Sequence, residues 1–145
     1  MNLFTAMDIS GSGLTAQRIR MNVIAENLAN AETTRTPKGT PYRRREVLFS
    51  TRPGGLVFRA GLFQMPVDVG RGVRVTGIVE DMSPFRRVYD PGHPDADKDG
   101  YVLMPNVNVV VEMVNLISAT RAYESNITAL TVAKEMAMRT IDLGG

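Results

Sequence analysis

Two heptad-like stripes at the ends of the chain, separated by a middle crowded with proline and glycine, constrain this sequence more than any other feature. Met7, Leu14, Met21 and Leu28 recur every seven residues, with Leu3 and Ile24 four residues before Met7 and Leu28. One apolar seam therefore runs through the first thirty residues, its second row interrupted by Ser10 and Gln17. At the other end Met113, Leu116, Thr120, Tyr123, Ile127, Leu130, Ala137 and Ile141 follow the alternating three- and four-residue steps of a coiled-coil seam. Lys134 breaks that seam, and Ala133 covers the gap. Each stripe needs a partner surface, either the opposite end of the same chain or the ends of neighbouring chains. Alanines 29, 31, 119, 122, 129, 133 and 137 allow the close helix approach that such pairing requires.

The N-terminal pattern predicts a helix from Asn2 to Asn30, about 42 Å long at the helical rise per residue. Gly11 and Gly13 weaken its first half, each by about 1 kcal/mol relative to alanine. Asp8 or Ser12 is placed to cap a fresh start, so the firm segment is expected from Leu14 to Ala29. All eight prolines lie between Thr33 and Asn106, which argues against helix there. Strands are expected at Tyr42 to Ser50, Leu56 to Phe58, Val73 to Asp81 and Tyr101 to Met104, forming a small antiparallel sheet. The third alternates most cleanly, with a bulge expected at Gly77. A C-terminal helix should start near Asn108 and end near Leu143, before Gly144 and Gly145. The expected architecture is α+β: long N- and C-terminal helices with a small antiparallel β-rich middle domain. Its parts are residues 1–32, 33–106 and 107–145.

Composition narrows the chemistry. The 145 residues hold 17 basic and 15 acidic side chains, a net charge of only +2, too weak a field to indicate nucleic acid. The Arg43, Arg44, Arg45 run is the densest positive cluster, and it fits a solvated strand face or a charge contact between subunits better than a phosphate site. With no cysteine and a single histidine, His93 between Gly92 and Pro94, neither a thiolate nucleophile nor a histidine-rich metal site is available. No nucleophile and base stand at a meaningful spacing, so neither an enzyme nor a cofactor is expected. No stretch approaches the ~20 apolar residues of a membrane span, and the N-terminus lacks the pattern of a cleavable leader. Export, if it occurs, should use a route that removes no leader.

Asp95, Asp97 and Asp99 before Gly100 match the opening of an EF-hand-type calcium loop. The twelfth position is Asn106 rather than glutamate, and a turn launching the strand at Tyr101 explains the same residues more simply. A small soluble binding module, calcium-linked or not, is the first competing class.

Two segments carry a family resemblance. Residues 26–34, Glu-Asn-Leu-Ala-Asn-Ala-Glu-Thr-Thr, resemble the N-terminal signature of the flagellar basal-body rod and hook axial proteins. Residues 106–117 and Ala122-Tyr123-Glu124-Ser125-Asn126 resemble their C-terminal signature. The short length, the Thr36-Pro37-Tyr42-Arg43-Arg44 segment, and Val73-Val75 through Asp90-Pro91-Gly92-His93-Pro94 are most similar to the members that build the proximal rod. Another rod or hook axial subunit is the second competing reading, which the terminal motifs alone leave open and the short length argues against.

The resemblance implies a structural subunit in the proximal rod, exported unfolded through the flagellar type III apparatus and added to a helical tube, with the N- and C-terminal helices paired as a coiled coil on its inner side and the β-rich domain outside. Its implied partners are copies of itself, other rod proteins, the adaptor joining rod to membrane ring, and transiently the export apparatus or a chaperone. Neither nucleic acid nor direct membrane insertion is implied. Met7, Leu14, Met21, Leu28, Met113, Leu116, Tyr123, Ile127, Leu130 and Ile141 are the expected packing residues of the helical wall. Asn27, Asn30, Asn115 and Asn126 are the expected register residues, because an asparagine in a helix interface penalises misaligned pairing.

Overall fold

The computed structural model describes residues 3–53, 57–60, 63–66 and 71–144. Among the described residues a helix, α1 (Leu3–Ala29), is followed by six strands and a final helix, α2 (Val109–Gly144). The strands are β1 (Arg45–Thr51), β2 (Val57–Ala60), β3 (Phe63–Pro66), β4 (Val73–Glu80), β5 (Arg86–Tyr89) and β6 (Tyr101–Met104). They pair as three two-stranded ribbons, β1 with β4, β2 with β3 and β5 with β6, instead of the single sheet expected. The β2–β3 hairpin, in register from Val57↔Pro66 to Ala60↔Phe63, lies where only a strand at Leu56 to Phe58 was expected. Leu56 itself lies outside the described residues. β5 also escaped the sequence pattern, because Arg86-Arg87-Val88-Tyr89 has no apolar alternation and is a strand through its pairing with β6.

α1 does not restart at Ser12. It is continuous through Gly11 and Gly13, and the surroundings of Ser12 and Gly13 differ from those of a helix start. A Cβ on Gly13 would fall 2.8 Å from Asn126 Oδ1, so glycine there permits close approach of α2. Ser12 donates from Oγ to the Ile9 carbonyl at 2.7 Å and accepts from the Val73 amide at 3.0 Å, tying the start of β4 to the helix instead of capping a new one. Gly72, at φ +101°, makes room for that contact.

At the start of α2, Asn108 accepts from the Val110 and Val111 amides at 3.0 and 3.2 Å and satisfies two orphan donors of the first turn. The preceding candidate cap, Asn106, is engaged elsewhere: its Oδ1 accepts from the Arg44 amide at 2.8 Å and its Nδ2 donates to the Asp81 carbonyl at 2.9 Å.

The chain divides into two compact units. The first comprises Met1–Arg18, Leu48–Gly77 and Arg121–Gly145; the second comprises Ile19–Val47 and Ile78–Thr120. In the first, the buried described residues are small: Ser10, Ser12, Gly13, Ala16 and Ala133. The second holds the larger core, including Val23, Ile24, Tyr42, Val47, Val102 and Val107, with Ala31, Tyr42 and Val107 in one cluster. Within the second unit α1 and α2 run antiparallel, since Met21 meets Thr120 while Asn27, further along α1, meets Glu112, earlier in α2.

The Asp95, Asp97, Asp99 segment forms the β5–β6 loop. Asp97 Oδ1 accepts from the Asp99 and Tyr101 amides, both at 2.9 Å, and Gly100 adopts φ +79°. Asp95 is held by Thr34 and Arg35. These carboxylates shape the turn, and among the described residues no group of three or more His, Cys, Asp or Glu side chains is placed to hold a metal ion.

Candidate functional site

The second unit is centred on a buried polar lock. Glu112, on the first turn of α2, is 1% exposed, and Asn27, near the end of α1, is 0% exposed. Asn27 Nδ2 donates to Glu112 Oε2 and to the Arg45 carbonyl, each at 2.9 Å. Its Oδ1 accepts from the Arg45 amide at 2.9 Å and the Tyr42 hydroxyl at 3.0 Å. All four hydrogen-bonding positions of the amide are filled. Arg44 Nε closes the network by donating to Glu112 Oε1 at 2.9 Å. One amide and one carboxylate thus join α1, the entry to β1, and α2.

The electrostatics follow from this packing. Burial acts to lower the pKa of Arg44, but the hydrogen bond from its guanidinium to Glu112, with the charges of Glu112, Glu46 and Asp81, raises it on balance. Burial raises the Tyr42 hydroxyl, with Glu26 adding to the effect, so it stays a proton donor. Asp81 is held below the usual carboxylate range, first by hydrogen bonds from the Ser83 side chain and amide, then by Arg44 and Arg43.

The arginine run is therefore neither a solvated face nor a phosphate cradle. Arg44 turns in to Glu112, Arg45 pairs with Glu26 at 2.8 Å, and Arg43 lies 4.3 Å from the centre of the Phe85 ring while donating to the Asp81 carbonyl. Beside it lies an open cleft of about 480 Å³, whose charged lining residues include the Glu26–Arg45 and Lys38–Glu80 ion pairs. Paired charges of this kind mark no nucleophile or base.

Along α2 the deepest row is Glu112, Ala119 and Ala133, with Asn126 half-buried between them at the same seven-residue spacing. It alternates with half-buried Leu116, Tyr123, Leu130 and Ala137. The inward seam thus shares one row with the apolar pattern of the sequence and takes its other row one residue earlier. Met113, Ile127 and Ile141 lie on the outside, 53%, 42% and 70% exposed. On α1, Met7, Leu14, Met21 and Leu28 are half-buried, flanking the deeper Ser10, Gly13, Ala16, Ile24 and Asn27.

The four asparagines have different surroundings. Asn27 lies at the centre of the lock. Asn115 donates weakly to Glu112 at 3.4 Å, Asn126 bonds back to the Ala122 carbonyl at 2.8 Å, and Asn30 bonds to the Glu26 carbonyl at 2.9 Å at the helix end. Glu112 and Arg44 were not legible as partners. The available signal was the seven-residue spacing of Glu112, Ala119, Asn126 and Ala133, which reads as polar and small rather than apolar.

Comparison with known proteins places the sequence in a family. Residues 7–35 match the family model described as flagella basal body rod protein, and residues 98–143 match flagellar basal body rod FlgEFG protein C-terminal. The "Flagellar basal-body rod protein FlgC" of Borreliella burgdorferi is 46% identical over 142 residues, covering 94% of this chain and 93% of that protein. The proteins of the same name from Escherichia coli O6:H1 and Bacillus subtilis are each 44% identical, covering 99% of both chains. The chain belongs to the FlgC family of flagellar basal-body rod proteins. Within this FlgC-family chain the two matched segments contain Asn27 and Glu112 respectively, so the lock joins both family regions. Membership does not favour the small calcium-linked module. Among the described residues no helix is long and apolar enough to cross a membrane.

Proposed function

We propose that this chain is a non-enzymatic structural subunit of the bacterial flagellar basal body, built into the proximal part of the rod. Its terminal helices pair as a coiled coil and pack with copies of the chain and with other rod proteins into a helical tube. That tube encloses an export channel and transmits torque. Residues 1–32 and 107–145 form the helical wall, and residues 33–106 form the β-rich domain carried on it. The rod-to-membrane-ring adaptor and the export apparatus are the further partners, reached by export without a cleaved leader into a rod that spans the periplasm.

The observation that carries this reading is the apolar outer face of α2. Met113, Ile127 and Ile141, with Val114 and Ile117, are exposed on one chain, and exposed apolar surface of this extent marks a contact with another molecule. Leu116, Tyr123 and Leu130 support the pairing from the inner side, with Met7, Leu14, Met21 and Leu28 opposite on α1. Asn27 fixes register, assisted by Asn30, Asn115 and Asn126.

Full-length chains carrying Met113→Asp or Ile141→Asp, supplied to cells that lack the parent, test the proposal through recovery in purified basal bodies and through motility. Both variants should fold and fail to incorporate. Normal incorporation of both would exclude the outer face as a packing surface.

A further inference from the structure

Two surfaces, one in each compact unit, are opposite in character and take no part in the lock. The first is the outer face of the β5–β6 hairpin. Pairing places Arg87 opposite Leu103 and Tyr89 opposite Tyr101, while their alternating neighbour Val102 is buried on the other face. Tyr89, Tyr101 and Leu103 are exposed, Tyr89 to 64%. The face is also pre-ordered: the tyrosine rings meet edge-on at 5.2 Å, and the Arg87 guanidinium lies 4.6 Å from the centre of the Tyr101 ring. Tyrosine and arginine held in place this way are the side chains that dominate protein interfaces. Its rim is the loop 90–99, with four aspartates against one lysine. Asp90 and Asp99 there have no ion pair with a described residue.

The second surface is the far end of the β1–β4 ribbon. The Arg52 amide donates to the Gly72 carbonyl at 2.9 Å and the Arg71 amide to the Arg52 carbonyl at 3.3 Å, so the backbones of these two arginines are adjacent. Arg74 follows on β4, donating to Ser50 Oγ at 3.1 Å. All three are exposed, none is ion-paired with a described residue, and Leu48 and Phe49 are exposed in the same unit. That unit as a whole carries eight basic against five acidic residues.

We propose that the outer face of the β5–β6 hairpin of one copy docks against the arginine-rich end of the β1–β4 ribbon of the next copy. This contact rests on the rod reading and names one partner within it, a second copy of the chain. Both halves are present on every chain, and a head-to-tail contact between two different patches of identical chains passes from copy to copy, closing into a ring or repeating along a helix according to its rotation. The tyrosine and leucine side chains supply the buried area. The aspartates and arginines set orientation and exclude the reversed pairing, since exposed ion pairs add little affinity by themselves.

The test uses the full-length chain in cells lacking the parent and reads its recovery in purified basal bodies. Arg52→Asp with Arg71→Asp and Arg74→Asp forms one reversal set, and Asp90→Arg with Asp99→Arg forms the other. Each set alone lowers recovery about tenfold, and a chain carrying both returns to within about threefold of the parent. A combined chain no better than the poorer single set overturns the proposal. A second measurement does not depend on reversed charges. The chain has no cysteine, so Leu48→Cys and Leu103→Cys, placed in separate co-expressed chains, are bridged by a short bis-maleimide only if the surfaces meet between copies. A two-chain adduct in basal bodies supports the contact, and its absence there overturns it. Absence of the unaltered chain from basal bodies would instead overturn the rod reading itself.

Discussion

Asn27 donates to Glu112 across 85 residues of sequence, at 2.9 Å, with both side chains almost fully removed from solvent. A carboxylate buried this deeply is tolerated only because Asn27 and Arg44 satisfy it, and Arg44, which also lies 3.6 Å from Glu46 and 3.7 Å from Asp81, makes its shortest ion pair there. The pair is therefore a point of high structural consequence: either member alone is a liability in the core.

Glu112→Ala leaves Arg44 and Asn27 without their shared acceptor while Arg44 keeps Glu46 and Asp81 nearby, and the expected loss of folding stability is about 1–3 kcal/mol. Urea unfolding of the full chain measures it. A double-mutant cycle with Asn27→Ala should give a coupling energy of about 0.5–3 kcal/mol. A loss below about 1 kcal/mol for Glu112→Ala would mean that the lock contributes little.

The glycines of α1 should respond in opposite directions. An added Cβ meets nothing within 4 Å at Gly11, so Gly11→Ala should stabilise by about 0.4–1 kcal/mol. At Gly13 the same methyl falls 2.8 Å from Asn126 Oδ1, and Gly13→Ala should give no gain or a net loss. Shortening the neighbour in Gly13→Ala/Asn126→Ala should recover the helical benefit. Thermal melts of the four chains decide the matter, and equal stabilisation by both single changes would contradict the close approach.

Acid should weaken the second unit through Asp81. Its carboxyl is held below the usual range by Ser83 and then by Arg44 and Arg43, so its folded pKa lies beneath the unfolded value of about 3.9. The contribution is present above about pH 4 and is lost as pH falls through the folded pKa. Asp81→Asn should flatten the stability profile below pH 4, measured by urea unfolding at stepped pH. An unchanged slope would show that Asp81 has no linkage to folding.

Tyr42 should act at the opposite end of the scale. Burial raises its hydroxyl, so stability is full below the unfolded pKa of about 10 and falls as pH rises beyond it, until the folded pKa is passed. Tyr42→Phe removes that alkaline loss and costs about 0.5–1.5 kcal/mol at neutral pH, the value of its hydrogen bond to Asn27. Identical alkaline unfolding of both chains would refute the assignment.

Residues whose environment is local were legible in advance. The start of α2 was readable because Asn108 caps amides two and three residues away. The strands at Val73–Glu80 and Tyr101–Met104 were readable from their punctuation and composition. The Asp97 turn was readable because its acceptor bonds amides two and four residues on. β5 was not, because its strand state depends on pairing with β6, and the β2–β3 hairpin was only partly so.

The sequence by itself determined two terminal helices, a proline-punctuated β-rich middle, the absence of cysteine chemistry and the resemblance to rod proteins. Periodicity, capping and turn formation act over a few residues, and so they are written in the order of the chain. Only the tertiary structure decided that Glu112 and Arg44 complete the site of Asn27, that the inward row of α2 runs through Glu112, Ala119, Asn126 and Ala133, and that Gly13 lets Asn126 of α2 come close to α1. Small and polar residues carry no hydrophobic signal of their own. Their place is set by how closely two distant helices approach and by which buried hydrogen bonds must then be satisfied.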